Sequence, residues 1–156
     1  MNISLARSLA ALALLSAAGM VIQARAQQIS VKGGNPLLSV TTGTAGAQPV
    51  AVTNVSSSLT WRRQNVISKI TVSASCPGQR FSLAVLATNL TYGVAAPQVN
   101  LFNGMLATDF VKSIPTGNPL NKTCTLRYTA SSTFAQGNST ELGNDVYAVT
   151  YTLVAQ

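Results

Sequence analysis

The chain has 156 residues, with ten basic and three acidic side chains and no histidine. Without histidine the commonest general base and metal ligand is missing, and three carboxylates, Asp109, Glu141 and Asp145, leave little material for acid–base pairs. The positive balance comes from scarce acids. The basic residues do not cluster beyond Arg62-Arg63, so the basic stripe with interleaved aromatics that nucleic-acid binding needs is absent.

Residues 1–26 read as a cleaved secretory signal peptide. Arg7 supplies the positive start, Leu9 to Ile22 is an almost unbroken apolar run, and Ala24-Arg25-Ala26 has the small-x-small pattern of a cleavage site. The rival is a membrane anchor, but the run is short for the roughly 20 apolar residues a span needs. No other stretch is long or apolar enough to span, so no membrane span is expected in the mature chain. Arg7 and Arg25 leave with the leader, which takes the net charge from +7 to about +5. Residues 27–156 are one domain's worth of chain. Abundant Thr, Ser, Val and Asn suit strands rather than helices.

In chain order, Ile29 and Val31 alternate with polar neighbours before the break Gly33-Gly34-Asn35-Pro36. Residues 27–34 read either as strand one of the domain or as an extended N-terminal arm that adds to a neighbour's open sheet edge. Leu38 and Val40 restart the alternation, and a loop follows to Pro49. Val50 to Val55 and Leu59 to Trp61 read as two strands around a polar turn at Asn54 to Ser58. Asn65 to Arg80 carries a strand with Ile70, Val72, Ala74 and Cys76 on one face and Lys69, Thr71, Ser73 and Ser75 on the other. Pro77-Gly78 then predicts a hairpin to Phe81, Leu83, Val85 and Ala87. Asn103-Gly104 predicts a second hairpin, between Val99–Leu101 and Leu106–Phe110. Lys122 to Ser131 sets Cys124, Leu126, Tyr128 and Ala130 on one face. Val146 to Ala155 sets Tyr147, Val149, Tyr151 and Leu153 on one face.

Eight to ten short strands with no helical period predict an all-β fold, an antiparallel two-sheet sandwich of Ig-like or jelly-roll-like type. Cys76 and Cys124 are the whole thiol inventory, each on an apolar strand face. In an exported chain this predicts a core disulfide, which closes a loop of about 48 residues and contributes roughly 4 kcal/mol in the entropic picture. The cysteine spacing and a nearby tryptophan resemble Ig domains in outline. However, Trp61 precedes both cysteines, and Tyr128 follows the second one, so the expectation covers the architecture and not the family.

Trp61 reads as a core residue or as an exposed aromatic platform, and Tyr92, in the loop Asn89 to Pro97, is the second candidate for ligand binding. No metal site is expected and no cofactor is implied. The 137–145 loop offers Asn138, Glu141, Asn144 and Asp145 as hard oxygen ligands for calcium, but its spacing is not that of an EF-hand. No nucleophile motif or phosphate-cradling loop is present, and an enzyme is not expected. Asn54, Asn89, Asn121 and Asn138 head glycosylation-type triplets, of which chance alone supplies about two or three in so Asn-, Ser- and Thr-rich a chain. The sequence therefore points to an exported, non-catalytic structural or adhesive β-sandwich of a bacterial cell envelope or extracellular matrix. Self-association and envelope components are the expected partners, and its place is secreted, periplasmic or at the cell surface. The alternative is a monomeric secreted module that binds a carbohydrate or a protein.

Overall fold

The structure, a computed structural model, describes residues 28–62, 65–117, 121–136 and 143–156. The leader expected over residues 1–26 lies outside them. The strands are β1 (Ile29–Lys32), β2 (Val52–Trp61), β3 (Ser68–Ser75), β4 (Ser82–Thr88), β5 (Val94–Ala95), β6 (Val99–Leu101), β7 (Met105–Ile114), β8 (Lys122–Ser131) and β9 (Ala148–Ala155). Among the described residues the only helical element is a 3-10 turn at Phe134–Gln136, and no helix is long and apolar enough to cross a membrane. The fold is all-β, with one sheet ordered β1-β2-β8-β4-β6 and the other β5-β7-β3-β9. Every strand pair is antiparallel.

The period-two pattern explains the core. On β8, Cys124, Leu126 and Tyr128 are buried, and on β3 so are Ile70, Val72 and Ala74. These faces meet in one cluster drawn equally from both sheets, with Trp61 and Phe110 the bulkiest of its fully buried side chains. Burying each of its larger aliphatic side chains contributes ~1.5–3 kcal/mol. The Phe110 and Tyr151 rings stack at a tilt, 5.2 Å between centroids.

The expected disulfide is not formed: Cys76 and Cys124 are both free and buried. Register shows why. Cys124 lies opposite Leu59, near the Thr88 end of β4. Cys76 follows β3 and donates its amide to Asn103 Oδ1, just beyond β6. There β6 pairs with Leu83, itself opposite Ala130 of β8. Ala130 is six residues along β8 from Cys124, roughly 20 Å at the usual strand rise, whereas bridged Cα atoms lie within about 7 Å. A shared apolar phase put both cysteines inside the core but said nothing of their height in it. The inter-sheet tie is made instead by Tyr128 of β8 and Tyr151 of β9, whose hydroxyls hydrogen-bond at 2.9 Å.

Neither expected hairpin forms. The chain reverses at Gly78 (φ 75°) and Gly104 (φ 72°), but β3 and β4 lie in different sheets, as do β6 and β7. Side chains take the groups a ladder would use at these reversals. Asn103 Oδ1 accepts the Cys76 amide, and Gln79 Oε1 accepts the Asn103 amide at 2.7 Å. Gln79 Nε2 donates to the carbonyls of Phe81 and Leu101. The two reversals are thus tied to each other as arches that carry the chain across the sandwich. Beyond β1–β2, no two consecutive strands share a sheet. An Ig order would keep several consecutive pairs together.

Three smaller expectations also change. Asn54 to Ser58 is not a turn, and β2 runs through it with a bulge between Asn54 and Ser57. Asn54 Oδ1 accepts both the amide and the hydroxyl of Ser56, which satisfies the displaced backbone. Leu38 and Val40 form no strand, although Leu38 packs on the core. The return strand expected at Leu106–Phe110 runs longer, as β7 (Met105–Ile114), and its pairing with β3 is irregular, with Leu106 85% exposed.

Candidate functional site

Trp61 and Tyr92, the two residues singled out for ligand binding, come to the same end of the sandwich, and a lysine stands between them. Trp61 ends β2 directly opposite Lys122 on β8. Lys122 is 1% exposed. It occupies the same strand phase as Cys124 and Leu126, so alternation alone turns it inward. Its Nζ donates to the Pro115 carbonyl at 2.9 Å and lies 5.0 Å from the centroid of the Tyr92 ring. No carboxylate pairs with it among the described residues. A carbonyl and an aromatic face are the ammonium's substitutes for water, and burial pulls its pKa below the usual lysine value.

Trp61 is fully buried, and its indole N–H has no hydrogen-bond partner among the described residues. It therefore offers no stacking face to a ligand. Tyr92 remains 40% exposed. The loop that presents it turns through Gly93 (φ 97°), where a Cβ would lie 2.7 Å from the Lys112 carbonyl oxygen. A side chain there would collide with β7 at Lys112 and Val111.

Two clefts remain as places for a small ligand. One, of about 440 Å³, lies along β1 and the end of β2, where Gln28, Ser30, Lys32, Thr60, Arg62 and Asn121 line it. The other, of about 410 Å³, lies on the outer face of the larger sheet. Its floor is Ala84, which stands between Asn100 of β6 and Thr129 of β8 in register. Gln98 and the exposed ring of Phe102 complete the rim. Its lining carries amides, hydroxyls and one aromatic ring, and no charged side chain. Sequence reading missed both clefts, because their residues come together only across strands distant in sequence. It passed over Lys122 too, although a signal was there, a cation in phase with an apolar strand face.

The remaining candidates have structural roles. Asp145 Oδ2 accepts the amides of Arg80 and Phe81 at 2.9 and 2.8 Å, and the Tyr147 hydroxyl donates to the Phe81 carbonyl at 2.7 Å. Of the oxygen donors weighed for calcium, Asn138 and Glu141 lie outside the described residues. Among those described, no cluster of three or more acidic or cysteine side chains exists. Asp109 meets Lys69 at 2.8 Å and Lys112 at 3.7 Å, and the Lys69 hydrogen bond holds its carboxyl below the usual range. Burial pushes the Cys124 thiol up to about 11 and raises that of Cys76. Neither thiol is therefore a ready nucleophile. Of the glycosylation-type asparagines, Asn54 is engaged by Ser56, Asn89 donates to Thr125 Oγ1 and Asn121 accepts from Arg62 Nε. No protein family, curated protein or solved structure is significantly similar to this chain.

Proposed function

We propose that the protein is an exported, non-catalytic structural or adhesive subunit of a cell envelope or extracellular matrix, and that its copies associate through sheet edges. The observation that carries this reading is the unpaired edge of β9, which β1 passes without hydrogen-bonding to it. This strand pairs regularly with β3 over eight positions and, among the described residues, has no hydrogen-bonded strand on its other side. Its sequence, AVTYTLVA, has no charge and no proline. Sheet proteins that must stay apart blunt such edges with lysine, proline, bulges or a covering segment. A long, uncharged and regular edge suits a strand partner.

The alternation of strands between the two sheets from β2 onward fits the jelly-roll-like variant of the expected sandwich better than the Ig-like one. That likeness carries no function by itself. The alternative, a monomeric module that binds carbohydrate, loses its Trp61 platform. It is better supported at the uncharged cleft around Ala84, Asn100 and Phe102.

Size-exclusion chromatography with light scattering, run over a range of concentrations, and electron microscopy of the purified protein test the reading. Concentration-dependent oligomers or fibres are expected. The same preparation should show tryptophan emission that resists acrylamide. A chain that stays monomeric throughout and binds a glycan at the Asn100 cleft replaces this reading with the binding module.

A further inference from the structure

We infer that β1 is an exchange strand, able to leave the β2 edge of its own chain and pair in the same register with β2 of a second copy. This inference rests on the self-association reading and specifies its means. It starts from how lightly β1 is held. The strand is four residues long, at the edge of its sheet, with Ile29 half-buried and the other three residues exposed. Among the described residues its hydrogen-bonded neighbour is β2 alone, through Ile29–Trp61, Ser30–Thr60, Val31–Leu59 and Lys32–Ser58.

The place it fills is nonetheless specific. Ile29 and Val31 lie on the side of Leu59 and Trp61, both fully buried, and Ile29 packs on the core. β1 also runs beside β9, so it closes the seam where the two sheets meet. If β1 departs, apolar surface opens along Leu59 and Trp61, and the complementary strand is β1 itself. A second copy is therefore the occupant that fits, because it carries the same strand with the same register.

The connector permits the exchange. Residues 33–51 contain no strand, and a 19-residue segment can reach about 60 Å when extended. Gly33 (φ 100°) and Gly34 (φ 70°) begin it directly after β1. Pairing in trans makes the same backbone bonds as pairing in cis, so the balance between them is set by concentration against a tether worth about 1 mM. Crowding at a surface or in a matrix shifts it toward exchange.

The test uses two full-length variants, Ser30→Cys and Thr60→Cys, distinguished by mass tags. Ser30 is exposed and Thr60 half-buried, side by side on the outer face of the β1–β2 pair. The native thiols are 0 and 1% exposed and react slowly by comparison. The variants are mixed, passed through a brief sub-denaturing urea step, returned to buffer at several concentrations up to about 1 mM, and treated with a short bismaleimide. A cross-linked heterodimer carrying both tags, rising with concentration, is expected. The double variant at high dilution should give an intrachain bridge, and its absence would overturn the register and the exchange with it. Oligomers without the bridge between copies overturn the exchange and leave self-association standing. A chain monomeric at every concentration overturns both.

Discussion

Two buried polar features carry the clearest consequences of single side chains. The Tyr128–Tyr151 hydrogen bond joins the sheets in the core, and burial raises the pKa of both phenols. Tyr151→Phe strands the Tyr128 hydroxyl without its partner and should cost about 1–3 kcal/mol. The double variant Tyr128→Phe/Tyr151→Phe should cost clearly less than the two singles added, since it leaves no orphan. Urea unfolding midpoints measure this, and additive losses would mean that the pair does not act as a unit. Lys122 presents the opposite balance, an ammonium held by one carbonyl and one ring. Lys122→Met keeps most of the volume and offers sulfur to Tyr92. The variant should match or exceed the parent in stability at neutral pH, as buried charges replaced by apolar groups often do. A loss of several kcal/mol would show that the lysine is an anchor.

At the scale of elements, the arches are decided by side chains that capture backbone groups. Asp145 holds the β3–β4 arch from outside through the amides of Arg80 and Phe81. Hydrogen bonds to a charged acceptor are worth more than neutral ones. Asp145→Ala should therefore cost about 1–2 kcal/mol and speed hydrogen exchange at those two amides ahead of the rest of the sheet. Asp145→Asn should recover part of the protection, since one oxygen still accepts. Uniform acceleration across all strands would place the effect elsewhere. The Asn54 bulge illustrates the same physics in β2. A polar run that looks like a turn stays in a strand when its own side chains satisfy the backbone.

For the whole molecule, the charge inventory fixes the response to pH. The raised groups are the thiols Cys76 and Cys124 and the phenols Tyr128, Tyr147 and Tyr151. Each keeps its proton in the folded state to higher pH than in the unfolded chain. Stability is therefore intact below the unfolded values, 9.0 for cysteine and 10.0 for tyrosine, and falls as pH climbs toward the folded ones. Each fully buried group contributes a slope of about 1.4 kcal/mol per pH unit. Lys122, with its lowered pKa, works in the opposite sense between its folded value and 10.5, but it is one group against several. On the acid side, Asp109 stabilises above its unfolded value of 3.8, and this is lost as pH falls through its lower folded value. As a third-exposed pair with Lys69, it contributes little. Melting temperature should be nearly flat from about pH 5 to 8 and drop steeply above about pH 9 to 10. A melting temperature unchanged at about pH 11 would contradict this burial of thiols and phenols.

Inward and outward sides were legible in the sequence because side-chain alternation is a local property of strands. Ile70, Val72 and Ala74, and likewise Cys124, Leu126 and Tyr128, declare their faces without any partner. The same parity turns Lys122 inward, although the sequence reading did not single it out, and Trp61, left open there between core and platform, lies in the core. By itself the sequence thus determined an all-β chain and much of the membership of its core. Which strands pair was not legible, because turn residues such as Pro77-Gly78 and Asn103-Gly104 specify that the chain reverses but not which sheet receives it. Only the tertiary structure decided that, through the Asn103 and Gln79 hydrogen bonds that link distant segments. The tertiary structure also set Cys76 and Cys124 far apart along the sandwich, and it brought Lys122 under Tyr92. Phase along a strand fixes a side, whereas height along the sheet is set by register, and register is a long-range property.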